Sequence, residues 1–147
     1  MTWADHWATW RHDLNRTGRS DVTGEFVEPA EAWQITTGGA PQVPSTRVLD
    51  GDGDGVAEVY SVWGGRLHAF EASGRVLWVS QFHGLSAVHG AWDFDGDGWA
   101  EILTSRSAGP ARLQIHDLSN GRVRWQSPPL SDGSREIRPR ENLQVVD

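Results

Sequence analysis

The chain has 147 residues, which is long enough for one domain with a hydrophobic core of its own. Hydrophobic residues make up 37% of it, with nine Trp and seventeen Gly, so the composition excludes an intrinsically disordered chain. A formal net charge of −7 without any long basic run argues against binding to a phosphate backbone, and we expect no nucleic-acid partner. No stretch approaches about 18 apolar residues, so we expect no membrane span, and the absence of Cys excludes disulfides.

The first 30 residues precede a repeat region and are assigned as an N-terminal lead-in segment, residues 1–30. Their start, Met-Thr-Trp-Ala-Asp-His-Trp, lacks the apolar core of a signal peptide. The repeat region then covers residues 31–147.

An acidic loop at residues 50–58 is the first strong pattern, with the sequence Asp-Gly-Asp-Gly-Asp-Gly-Val-Ala-Glu. Four carboxylates on one short turn repel one another at close range unless a cation lies between them. Calcium takes roughly six to eight oxygen ligands, whereas magnesium keeps its waters and prefers few carboxylates. Gly55 allows the sharp reversal of the chain. We therefore predict a calcium site with the side chains of Asp50, Asp52, Asp54 and Glu58 and the main-chain carbonyl of Val56 as ligands.

The same pattern returns at residues 93–101, 43 residues after the first copy. A single Asp- and Gly-rich run is usually a solvated turn, but two copies that match at every fixed position favour metal binding. An EF-hand needs a Glu at position 12 and flanking helices, and position 12 is Ser61 in one copy and Thr104 in the other. The predicted ligands of the second calcium site are the side chains of Asp93, Asp95, Asp97 and Glu101 and the carbonyl of Trp99.

Strands are predicted directly after both loops, at residues 58–63 and 101–105, because β-branched and aromatic residues dominate there without a helical apolar face. Next in each copy comes a hairpin, residues 66–78 and 112–125, with an acidic turn that contains Gly and a second strand that ends in Trp. Trp33, Trp78 and Trp125 lie 45 and 47 residues apart, close to the spacing of the two loops, and we expect them to pack between repeats. Trp63 and Trp99 are better candidates for an exposed platform, although core packing is favoured for them as well.

Four short strands in about 45 residues are typical of one β-propeller blade. We predict an all-β fold of four-stranded antiparallel blades, about two to three in number, as a partial propeller or as one protomer of an assembled ring. The predicted blade units cover about 45–80 and 87–127, and a third starts at 142–147, where the sequence matches the strand that enters a calcium loop.

The DxDxDGxxE loops resemble the FG-GAP (VCBS-like) repeats of calcium-binding β-propellers. The Trp-ended hairpins are similar to the tryptophan-docking motif of quinoprotein-like (PQQ-type) repeats, although the first hairpin is one residue shorter than the second. Residues 10–18 resemble the lead-in found before such repeats. The resemblance implies a propeller module in which two Ca²⁺ ions are structural and which acts as a scaffold or as a recognition or adhesion unit.

Catalysis finds little support in the sequence, which has no GxSxG motif, no phosphate loop and no carboxylate pair outside the two loops. We expect no enzymatic activity. The alternatives are a fragment of a carbohydrate-active propeller enzyme, such as a polysaccharide lyase, and a self-assembling structural unit.

A closed propeller has about four to eight blades, so we expect either a homo-oligomer that completes a ring or the remainder of a longer propeller chain as partner. A carbohydrate or protein ligand is a further expectation. Extracellular modules bind calcium with dissociation constants of about 10⁻⁴ to 10⁻³ M, which favours an extracellular, cell-surface or periplasmic location.

Overall fold

The computed structural model of the chain describes residues 17–19, 28, 30–36, 46–81 and 84–130. Within these ranges the chain forms two four-stranded antiparallel sheets and no helix. The strands of the first sheet are β1 (Thr46–Leu49), β2 (Glu58–Trp63), β3 (Arg66–Phe70) and β4 (Val76–Val79). Those of the second sheet are β5 (Leu85–Trp92), β6 (Glu101–Arg106), β7 (Arg112–Asp117) and β8 (Val123–Gln126).

Within each sheet, every strand pairs with the next one along the chain, so both sheets are meanders of the same design. The predicted all-β class and the four-stranded antiparallel units are confirmed, as are the strands predicted after the two acidic loops. Neither sheet closes on itself, so the propeller remains a prediction. The predicted lead-in, apart from 17–19, 28 and 30, and the start of a third unit at 142–147 lie outside the described residues.

One hydrophobic core joins the two sheets, because a continuous cluster of buried side chains draws on both. The first sheet contributes large residues that include Leu49, Tyr60 and Leu67, and the second contributes Val88 and Ile102 among others. All five are at most 1% exposed. Each sheet therefore buries one of its faces against its neighbour, which is how repeat units gain stability. The described residues include no helix long and apolar enough to span a membrane.

Trp78 forms the clearest contact between the sheets. Its indole Nε1 donates a hydrogen bond to the main-chain oxygen of Leu118, at 3.0 Å, in the turn between β7 and β8. The indole ring also lies against Gly121 in that turn, where an added Cβ would come within 2.5 Å of it. Tyr60 also packs against the indole, with ring centroids 5.9 Å apart. Trp78 thus packs between the two repeats, as its position in the sequence predicts.

Trp33 makes the same kind of contact with the first sheet. Its Nε1 donates to the oxygen of Ala72 at 2.8 Å, and its ring lies against Gly74 in the turn between β3 and β4. Trp125 takes the register position on β8 that Trp78 takes on β4, but it is 48% exposed. The expectation that Trp125 is buried between repeats is therefore not met within the described residues, because no further sheet follows β8 there.

A buried pair of basic residues also connects the sheets. Arg47 on β1 is 5% exposed, and its Nη2 donates to the main-chain oxygens of Val88 and His89 on β5, at 3.2 and 2.9 Å. His89 is 4% exposed, and neither ring nitrogen has a hydrogen-bond partner among the described residues. Burial, with a smaller effect of the Arg47 charge, lowers the pKa of His89 to about 4. His89 is therefore neutral in the folded protein near neutral pH.

The depressed pKa predicts that His89 makes the protein acid-sensitive. In the unfolded chain a histidine titrates near 6.5, so unfolding takes up a proton between about pH 4 and 6.5 and stability falls as the pH is lowered through this window. The loss is at most about 3 kcal/mol. Urea unfolding of the wild type and of His89→Gln at about pH 7 and pH 4 should show a smaller loss in the variant. Equal losses would contradict the assignment.

Candidate metal centre

The first acidic loop connects β1 to β2 and is held by its own carboxylates. The two oxygens of Asp50 accept the backbone N–H groups of Gly53 and Gly55, at 2.6 and 2.9 Å. The N–H of Gly51 donates to Oε2 of Glu58 at 2.8 Å. The residue that follows β1 and the residue that opens β2 thus fix the two ends of the turn, as charge-assisted bonds to backbone amides do.

The second loop connects β5 to β6 and repeats these bonds atom for atom. Asp93 accepts the N–H groups of Gly96 and Gly98, at 2.7 and 2.9 Å. The N–H of Phe94 donates to Oε2 of Glu101 at 2.9 Å. The match between two separate segments shows that the nine-residue pattern encodes one loop conformation.

Three of the four predicted carboxylates in each loop come together. One oxygen from each carboxylate lies within 4.8 Å of one oxygen from each of the other two, and the two clusters are Asp50, Asp52 and Glu58, and Asp93, Asp95 and Glu101. These two acidic clusters could hold a metal ion. All their side-chain donors are carboxylate oxygens, which suit a hard cation such as calcium better than a metal that prefers nitrogen or sulfur.

The remaining predicted ligands are placed differently. Asp54 and Asp97 are not part of the converging groups, and Oδ1 of each accepts the N–H two residues on, from Val56 at 2.7 Å and from Trp99 at 2.9 Å. These bonds stabilise the turn itself. The role of both carboxylates as ligands, and that of the carbonyls of Val56 and Trp99, remains a prediction.

Glu58 and Glu101 are the most buried acids of the two loops, at 4% and 2% exposure. Burial raises the pKa of both, the bond from the backbone N–H opposes this, and the neighbouring aspartates raise the pKa further. The carboxylates are therefore crowded and partly desolvated, a situation that a bound cation relieves.

Two contacts near the loops were not predicted from the sequence: Trp99 joins the two loops, and Arg124 binds the second loop. The ring of Trp99, in the second loop, lies against Gly53 in the first, where an added Cβ would be 2.6 Å from it. A cavity of about 250 Å³ lies beside this contact and is lined by residues of both loops. Arg124 on β8 donates from Nη1 to Oδ2 of Asp95 at 2.7 Å. The sequence does contain a signal for Arg124, because alignment of the two hairpins places this arginine opposite Leu77 of the first copy.

The described histidines are not part of either acidic cluster. His68 stacks on Trp63 with ring centroids 3.8 Å apart, and buried His116 bonds to Thr104 and to the oxygen of Gly121. Burial lowers the pKa of both histidines, which suits neutral packing groups. His83, near the second loop in sequence, lies outside the described residues.

Comparison of the chain with protein-family models, with curated proteins and with solved structures gave no match. The chemistry of the site is therefore argued from the chain's own residues. These offer two equivalent oxygen-donor clusters, each at the junction of the first two strands of a sheet.

Proposed function

We propose that the chain is a calcium-binding β-propeller repeat module of FG-GAP type, in which calcium is structural and which acts as a scaffold or as a recognition or adhesion unit. The observation that carries the proposal is the duplicated loop, with equivalent hydrogen bonds and three converging carboxylates in each copy. An ion held by Asp50 and Glu58 would connect the end of β1 to the start of β2. Its counterpart at Asp93 and Glu101 would connect β5 to β6.

Structural calcium acts by binding the folded chain and not the unfolded one. At a free calcium concentration about ten times the dissociation constant, each site adds about 1.4 kcal/mol to the free energy of unfolding. Two sites add about 3 kcal/mol, against a typical total of about 5–15 kcal/mol. Such sites function best where calcium is plentiful, so an extracellular, cell-surface or periplasmic location is part of the proposal.

Terbium luminescence tests the proposal at the loops themselves. Tb³⁺ is a hard cation that takes oxygen ligands as Ca²⁺ does. Trp99 belongs to the second loop and lies against the first, so we expect excitation of the indole to sensitise terbium bound at either loop. Added calcium should displace terbium and abolish the luminescence. Trp99→Phe should remove most of the luminescence without preventing calcium binding.

The variant pair for this test is Asp52→Asn and Asp95→Asn, which change the equivalent carboxylate of each cluster with little change of shape. Together they should abolish the calcium-sensitive signal. Glu31→Gln removes an exposed carboxylate that belongs to neither loop and should have no effect. A signal that calcium does not displace, or that survives the double change, would refute calcium binding at these loops.

Assembly into a larger propeller is favoured by one specific observation. The indole of Trp33 and that of Trp78 each donate a hydrogen bond to the turn of the next hairpin, whereas Trp125 is half exposed at the equivalent position. A further hairpin, from a second copy of the chain or from a longer propeller chain, would complete the series. A carbohydrate or protein ligand of the assembled module remains part of the proposal.

A further inference from the structure

Arg124 and Leu77 hold the same place in the two sheets. Arg124 precedes Trp125 on β8, at the bulge where the register with β7 shifts. Leu77 precedes Trp78 on β4, at the matching bulge with β3. Both side chains are partly exposed. The chain therefore contains a natural comparison, because equivalent register positions on the hairpins that follow the two loops carry a cation in one copy and an uncharged side chain in the other.

The arginine engages the second loop directly. Its Nη1 donates to Oδ2 of Asp95 at 2.7 Å and lies 3.8 Å from Oδ2 of Asp97. Its Nη2 donates to Oδ2 of Asp117 at 3.4 Å, which anchors the guanidinium on its own hairpin. Asp95 is one of the three carboxylates that converge in the second cluster. One carboxylate of that cluster is thus already bound to a positive group of the same chain.

The counterpart of Asp95 in the first loop is Asp52, which likewise accepts a backbone N–H through Oδ1, from Asp54 at 3.2 Å. The same bond in the second loop joins Asp95 to the N–H of Asp97, also at 3.2 Å. The backbone bonds of the two aspartates are therefore alike. What differs is the residue at the equivalent register position of the following hairpin, which is Arg124, bonded to Asp95, in the second copy and Leu77, with neither charge nor donor, in the first.

We propose that Arg124 is an internal counter-cation that competes with calcium for Asp95, so that the second loop binds calcium more weakly than the first. This inference rests on the proposed calcium-binding function. For an ion to engage Oδ2 of Asp95, the guanidinium has to give up a charge-assisted hydrogen bond or remain a few ångströms from a divalent cation. Because Arg124 is 44% exposed, solvent screens part of this repulsion, and we expect an effect of about tenfold in affinity.

The consequence is ordered filling of two loops that have the same sequence pattern. The first loop fills at lower calcium, and the second fills only when calcium displaces the guanidinium from Asp95. The chain then responds to calcium over a wider concentration range than two identical sites would. Asp117 remains as the partner of the displaced arginine.

Calorimetric titration of each loop in isolation tests the inference. Asp95→Asn leaves only the first loop active, and Asp52→Asn leaves only the second. In the Asp52→Asn chain, Arg124→Leu should lower the dissociation constant of the second loop about tenfold, and Arg124→Gln should do the same with a side chain of similar length. In the Asp95→Asn chain, Leu77→Arg should raise the calcium dissociation constant of the first loop by a similar factor. Arg122→Leu removes the same charge from an exposed position on the same hairpin and should change the calcium dissociation constant of the second loop little.

The results separate the two ideas. Tighter binding with Arg124→Leu or Arg124→Gln, beyond the effect of Arg122→Leu, supports the inference. An unchanged dissociation constant with both Arg124 variants overturns it while calcium binding stands. If neither single-loop chain nor the wild type binds calcium, the proposed function fails and the inference fails with it.

Discussion

Replacing Trp78 with alanine is expected to lower the free energy of unfolding by about 3 kcal/mol, the lower end of the cost of truncating a large aromatic side chain in a core, because Trp78 is partly buried against the core. Three interactions are lost together, namely the hydrogen bond to the oxygen of Leu118, the contact with Gly121 and the packing against Tyr60. Leu118 and Gly121 belong to the second sheet, so the change weakens the packing between the two sheets and not only the hairpin that carries Trp78. Urea unfolding measures the effect, and a loss below about 1 kcal/mol would contradict a central role for this residue.

The same contact can be tested from its other side with a matched pair of glycines. Gly121→Ala introduces a Cβ that would lie 2.5 Å from the Trp78 ring, at a backbone φ of 71°. Gly109→Ala is made at a similar φ of 77°, where the nearest atom is Nη2 of Arg106 at 4.0 Å. Both variants bear the backbone cost of about 1–2 kcal/mol, and only the first also forces the ring to move. Equal destabilisation by the two changes would show that Trp78 is not seated on this turn.

Removal of calcium is the second change with a large expected effect. If both loops are filled, EDTA should lower the free energy of unfolding by about 3 kcal/mol, which corresponds to a fall in Tm of about 6–12 °C for a chain of this size. Added calcium should restore the transition. Magnesium should restore it less well, because it dehydrates reluctantly and needs near-octahedral geometry.

Variants separate this effect from general charge effects. The double variant Asp52→Asn and Asp95→Asn should melt at the same temperature with and without calcium, while Glu31→Gln should respond as the wild type does. A melting curve of the wild type that EDTA leaves unchanged would show that calcium is not structural.

The local parts of the fold could be predicted from the sequence because each has a short-range signal. β2 and β6 follow their loops as expected, because these segments are rich in β-branched and aromatic residues and have no helical apolar face. The Trp-ended hairpins are formed as β3–β4 and β7–β8, because an acidic turn with Gly sets a chain reversal. The contact of Trp78 is predicted by its recurrence at the repeat spacing.

The features that the sequence could not supply depend on contacts between distant segments. A spacing of carboxylates fixes their order on the loop but not which oxygens converge, so the pattern groups Asp54 and Asp97 with the other acids although neither belongs to the converging groups. Arg124 lies 29 residues from Asp95, and only the second sheet brings them together. The exposure of Trp125 likewise depends on whether another hairpin packs against β8, which a repeat pattern alone does not define.

Direct titration of the protein with calcium is the measurement that tests the central claim, binding of one ion by each DxDxDGxxE loop. The account predicts two calcium ions per wild-type chain, one for Asp52→Asn, one for Asp95→Asn and none for the double variant, with dissociation constants no weaker than about 10⁻³ M. Absence of binding at that concentration, or a stoichiometry that the two changes leave at its wild-type value, would contradict it.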